Sequence, residues 1–129
     1  MMIGARASFV AAALFGAAAV LLGAFGAHGL VERVSPERLL VWETGAQYQF
    51  YHALALLALS SGALRGRWTR WHGLAALGWI TGIVVFSGSL YLLVLLDMGW
   101  LGAVTPIGGV AFVVGWLMLL GAARSEVEV

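Results

Sequence analysis

WHGLAALGWITGIVVFSGSLYLLVLL, residues 71–96, runs from Arg70 to Asp97 without a formal charge. Its 26 residues exceed the roughly 20 apolar residues that an α-helix needs to cross a bilayer. Three other intervals between ionised side chains are comparable: 25 residues from Arg6 to Glu32, 21 from Glu43 to Arg65, and 26 from Asp97 to Arg124. Backbone groups in hydrocarbon have no water to bond, so such runs must satisfy themselves as helices. A β-barrel would show alternating segments of about 10 residues, and none is present. The reading is therefore all-α: an integral membrane four-helix antiparallel bundle with spans near 6–27, 45–64, 72–96 and 104–123. Residues 1–129 are taken as a single transmembrane domain, with an interfacial extension at the start of the second helix.

Composition points the same way. The chain has 129 residues, 62% hydrophobic and 10% charged, against about 25% charged in soluble domains. A soluble fold this short leaves much of its surface in water and could not hide so much apolar area. The absence of cysteine excludes disulfides, iron–sulfur ligation and thiol catalysis. A net charge of +1 implies no general attraction to nucleic acid. The 18 glycines suit close helix–helix approach in lipid.

The first run has features of a signal peptide, since Arg6 precedes it and the small residues Ala24, Gly26 and Ala27 close it. Signal cores are about 7–15 residues, and this one is nearer 20, so it is expected to be retained as a span. Positive residues favour the cytoplasm. Arg6, the group Arg65, Arg67 and Arg70, and Arg124 all fall on one side if the chain crosses four times. The opposite side holds Asp97 and residues 28–44, where Arg33 and Arg38 mix with Glu32, Glu37 and Glu43. Both termini are expected in the cytoplasm.

Ser35-Pro36-Glu37 reads as a helix start. Serine caps, proline suits the first helical position, and glutamate favours the positive end of the dipole. One helix is expected from about Pro36 to Ala63, with Trp42 as an interfacial aromatic and Gly45 as a tolerated glycine or a bend. On a wheel of 100° per residue, Leu39, Trp42, Ala46, Phe50 and Ala53 share an arc assigned to lipid. Thr44, Tyr48, Tyr51 and His52 fall opposite, continued by Ala55, Ala58 and Gly62, and this side is assigned to the bundle. Gln47 and Gln49 flank it.

Depth adds a constraint. At 1.5 Å per residue His52 lies about 12 Å below Thr44, and Ser87 about 15 Å below Asp97. Ser89 and Tyr91 share the outer half, where His28 ends the first span and Thr105-Pro106 opens the last. Polar groups in a membrane are costly unless paired, and they often mark a site. The convergence has two readings: interhelical hydrogen bonds that fix register, or a small polar pocket open to the outer face. His52 is the sharpest candidate as a proton carrier or ligand, beside the plainer reading of a core histidine bonded to Tyr48 or a serine. Glu43 points away from His52 and reads as a surface acid that could meet His28 or Arg38. His72 reads as interfacial and Asp97 as an exposed turn. Gly78-x-x-x-Gly82 is a helix-packing motif that weakly supports self-association.

No catalytic motif is present, neither a G-x-S-x-G elbow, nor H-E-x-x-H, nor a phosphate-binding loop. Histidines at 28, 52 and 72 lack zinc-site spacing within one element, and no metal or cofactor is expected.

Four ordered motifs carry a resemblance: Gly23-Ala-Phe-Gly-Ala-His-Gly29, Trp42-Glu-Thr-Gly-Ala-Gln-Tyr-Gln-Phe-Tyr-His-Ala-Leu-Ala-Leu56, Phe86-Ser-Gly-Ser-Leu-Tyr91 and Thr105-Pro-Ile-Gly-Gly109. They resemble the domain-of-unknown-function 423 family of small bacterial inner-membrane proteins, to which eukaryotic transmembrane protein 256 is similar. The resemblance implies a multi-spanning protein of the inner membrane and supplies no catalytic residues. Its motifs coincide with His28, Glu43, Gln47, Tyr48, His52, Ser87, Tyr91 and Thr105, the candidate polar cluster.

Three functions compete on these residues. The first is a non-catalytic membrane module binding a lipid, a small hydrophobic molecule or a partner helix, with membrane lipids, a homo-oligomer or a partner membrane protein as partners. The second is a small oligomeric transporter or proton-conducting unit using the polar cluster around His52. A membrane enzyme comes third, for want of any catalytic signature.

Overall fold

A computed structural model describes residues 3–64 and 66–127; Arg65, one of the grouped arginines, lies outside the described residues. Every element in it is helical. Helix α1 spans Ala5–Phe25 and continues as a π turn over Gly26–Leu30. Helix α2 spans Pro36–Leu64. Helices α3 (Arg70–Gly82) and α4 (Gly88–Leu96) are joined by a π turn over Ile83–Ser87, and a 3-10 turn over Gly99–Ala103 leads to α5, Thr105–Val127.

Three stretches are long and apolar enough to cross a membrane: Ala5–Leu30, Arg70–Leu96 and Gly99–Ser125. Helix α2 is longer than any of them but less apolar, because Gln47, Tyr48, Gln49, Tyr51 and His52 interrupt it. Its start follows the local code, with the Arg38 backbone N–H donating to Ser35 Oγ at 3.2 Å. It runs through Gly45 without a break.

Helices α1 and α2 pack side by side and antiparallel: Trp42 reaches the Leu22 carbonyl, Gln49 reaches that of Phe15, and Ala53 lies against Gly16. Helix α5 packs antiparallel on α3 and α4, from Trp71 against Gly121 to Ser89 against Thr105. The Gly78/Gly82 motif is used inside this contact. A Cβ on Gly78 would sit 2.9 Å from Gly115 Cα, and one on Gly82 would overlap the Phe112 ring. Both glycines are therefore used in packing within the chain, against α5, and this motif does not support self-association. Ala12, Leu56, Ala76, Trp79, Ile83 and Phe112 form a core to which α1, α2, α3, the Ile83–Ser87 turn and α5 contribute.

The arc of α2 assigned to lipid is largely buried. Trp42, Ala46 and Ala53 are covered by α1, and only Phe50 stays exposed. The glycines and alanines of α1 let α2 approach on the side where the wheel saw only apolar residues. Conversely, Tyr48 and Tyr51, assigned to the bundle, are 41% and 54% exposed.

The two ends differ. Exposed Arg6, Arg67, Arg70 and Arg124 gather at one end, where the Trp68 indole N–H also donates to the Ile3 carbonyl at 2.9 Å. His72 is buried there. The Thr69 N–H donates to its Nδ1 at 3.1 Å, so the histidine takes the glutamate's role in a capping box at the start of α3. At the other end Asp97 closes α4 with φ 53°, a left-handed conformation that aspartate tolerates. Its carboxylate pairs with Arg38 at 3.0 Å, so Glu43 is not that arginine's partner.

Candidate functional site

Gln49, Ser87, Ser89, Tyr91 and Thr105 lie between the core and the Asp97 end, and their hydrogen bonds join helices. Tyr91 donates to Gln49 Oε1 at 2.7 Å, and Gln49 Nε2 donates to the Phe15 carbonyl at 2.9 Å. That relay ties α4 to α2 and α2 to α1. Ser87, fully buried in the π turn, donates to the Gly45 carbonyl at 2.7 Å. The hydroxyls of Ser89 and Thr105 lie 2.6 Å apart and join α4 to α5.

His52 is buried one step deeper. Its ring stacks on Phe112 at 3.7 Å between centroids. Trp116 Nε1–H donates to His52 Nε2 at 3.1 Å, so that nitrogen is an acceptor. The proton must then reside on Nδ1, which lies 2.8 Å from the Tyr48 carbonyl and donates to it. Both ring nitrogens of a neutral imidazole are thereby used.

The eight candidate residues thus divide. Ser87, Tyr91, Thr105 and His52 enter separate hydrogen bonds that connect helices. His28, Glu43, Gln47 and Tyr48 have exposed side chains. The partners Gln49, Ser89 and Trp116 complete the network. Gln49 and Ser89 stood beside the cluster in the sequence, but Trp116 gave no signal there, because an isolated tryptophan in an apolar span reads as lipid-facing. Trp79 is a different case: its N–H is buried without a hydrogen-bond partner among the described residues, with its ring 4.7 Å from that of Trp116.

Several contacts use a main-chain acceptor. Besides Phe15 and Gly45, the Leu22 carbonyl accepts from Trp42 Nε1–H at 2.7 Å, and the Leu93 carbonyl from Arg38 at 3.4 Å. A helical carbonyl keeps a second lone pair after its own i+4 bond, and neighbouring helices use it.

Outside this interior, a groove of about 290 Å³ runs between α1 and α2. Ala19, Gly23 and Ala46 form its floor, and Gln47, Phe50 and Tyr51 stand on its rim. A second groove, of about 310 Å³, lies between α2, α3 and α5 beside Trp116, lined by Ala55, Ala58 and Leu59.

The family described as "Protein of unknown function (DUF423)" matches residues 22–109. The chain is 47% identical over 107 residues to the UPF0382 membrane protein YwdK of Bacillus subtilis, covering 81% of this chain and 85% of that protein. It is 52% identical over 104 residues to the UPF0382 membrane protein SSP2132 of Staphylococcus saprophyticus, covering 79% and 83%. To the UPF0382 membrane protein SAB0533 of Staphylococcus aureus it is 50% identical over 104 residues, covering 79% and 82%. No solved structure matches the chain. The matched residues include Gly45, Gln49, His52, Ser87, Ser89, Tyr91 and Thr105, and the chain belongs to the DUF423 family of membrane proteins.

Proposed function

We propose that the protein is a non-catalytic module of the bacterial inner membrane, crossing it four times with both termini cytoplasmic. Its α1–α2 face receives a lipid, a small hydrophobic molecule or a partner helix. Four crossings follow if α2, antiparallel to α1 and matched to it in length, spans with it. The single observation that carries the binding reading is a contrast in pairing. His52, Ser87, Tyr91 and Thr105 have interior partners, whereas no hydrogen bond among the described residues engages the exposed side chains of Gln47 and Tyr51. Polar groups facing hydrocarbon are costly unless something pairs with them. They stand beside an apolar groove that a membrane-resident partner can fill.

The proton-conducting alternative needs a polar path from His52 to the Arg67 end. Leu56, Ala76 and Trp79 occupy that direction, and the buried Ser60 there is spent on its own helix, donating to the Leu56 carbonyl at 2.6 Å, which favours the binding module. Native mass spectrometry of the detergent-extracted protein tests it. A retained lipid or small molecule, or a mass above one chain, is expected; a bare monomer under mild activation overturns the proposal.

A further inference from the structure

We infer that the occupant of the α1–α2 groove is a second copy of this chain, held by hydrogen bonds from Gln47 about a twofold axis along the membrane normal. The inference rests on the binding-module reading and names its partner.

Three observations carry it. The first is depth. Gln47 lies nine residues beyond Arg38, whose ion pair with Asp97 marks that end of the molecule, so its amide sits about 13 Å inward. Tyr51 lies about 20 Å inward by the same rise. With an apolar core about 30 Å thick, acyl chains surround both groups and offer them no acceptor. The second is chemistry. A primary amide carries both donors and an acceptor. Two glutamines facing each other across a twofold axis therefore satisfy each other, and the Tyr51 hydroxyl adds a donor on each side. A closed pair also uses the same patch on both copies, as twofold symmetry requires.

The third is shape. Leu40, Gln47 and Leu54 recur every seven residues on α2 and are all exposed, forming a ridge with one polar residue at its centre. A lone polar residue in such a seam sets register between two helices. Beside it, Ala19, Gly23 and Ala46 keep the groove floor low enough for a second helix to approach. Glu43, one turn nearer the Asp97 end, falls on the rim of that contact. Trp116 and the opposite face of α5 take no part.

Because the chain contains no cysteine, each engineered thiol is unique. Leu54→Cys in native membranes is expected to give an oxidised dimer, whereas Leu14→Cys and Leu120→Cys, both exposed on other faces, are not. Adding Gln47→Leu to Leu54→Cys should cut the dimer fraction on the order of tenfold at low protein-to-lipid ratio. The Gln47→Leu chain should remain folded, because the change only removes a polar group from lipid; its thermal stability as a monomer checks this. Equal cross-linking with and without Gln47, or from all three positions alike, overturns the inference. Native mass spectrometry separates its failure from that of the module reading. A homodimer supports both. A monomer carrying a lipid or hydrophobic adduct overturns the second copy and keeps the module, and a bare monomer overturns both.

Discussion

Ser87 donates its hydroxyl proton to the carbonyl of Gly45, 42 positions earlier in the chain, at 2.7 Å. At this crossing Gly45 also lets α4 approach closely. A Cβ there would lie 2.9 Å from Tyr91 Cε1 and 3.4 Å from Leu90 Cβ. The Tyr91 ring is tethered by its bond to Gln49 and cannot swing aside freely. Gly45→Ala gains up to about 1 kcal/mol in helix propensity and incurs about 1–3 kcal/mol of overpacking. Net destabilisation is expected in a denaturation titration in detergent micelles. A variant as stable as the parent would refute the close-approach account.

Adjacent glycines on α5 should behave oppositely. A Cβ on Gly108 would lie 2.3 Å from Phe86 N and 2.7 Å from Phe86 Cα, while one on Gly109 meets only the Phe86 ring at 3.9 Å. Backbone cannot yield without moving the π turn that contains Phe86. Gly108→Ala should cost at least about 3 kcal/mol or fail to yield monodisperse protein. Gly109→Ala meets no clash and should gain up to about 1 kcal/mol from helix propensity. Size-exclusion profiles and melting in micelles distinguish the two, and equal behaviour would count against this helix contact.

The His52–Trp116 bond can be isolated by a double-mutant cycle. Trp116→Phe removes the donor, and His52→Phe removes the acceptor while keeping a ring against Phe112. Hydrogen bonds between membrane helices average about 0.6 kcal/mol, with a maximum near 1.7. A coupling energy in that range is expected. Zero coupling would mean that the two side chains do not bond.

Membrane orientation is testable on the same thiol-free background. Arg67→Cys should react with a membrane-impermeant maleimide only after cells are permeabilised. Met98→Cys, beside the turn at Asp97, should react in intact cells. The reverse pattern would invert the orientation and place the arginine-rich end outside.

Some of this molecule is legible in its sequence, and the reasons are local. Ser35 and Pro36 start α2 where capping chemistry says they should, and charge-free runs locate helices by counting. Counting residues also groups Ser87, Tyr91 and Thr105 by depth. Facing is less legible. A wheel describes one helix without its neighbours, and α2 touches α1, α4 and α5 together, so Trp42 and Ala46 are buried where a single-partner picture puts lipid. The π turns at Gly26–Leu30 and Ile83–Ser87 shift helical phase with no motif to announce them. Thr69 and His72 form a capping box in which histidine stands for the usual acid, so the pattern is easily passed over.

The main-chain acceptors have an evolutionary consequence. At Phe15, Leu22 and Leu93 the group that receives the proton is common to all twenty residue types, so those positions can drift while the bond persists. The side-chain requirement at these contacts falls on the donors, Gln49, Trp42 and Arg38. Searches for correlated substitutions between helices would therefore find little signal at these three crossings, though they help fix how the helices meet.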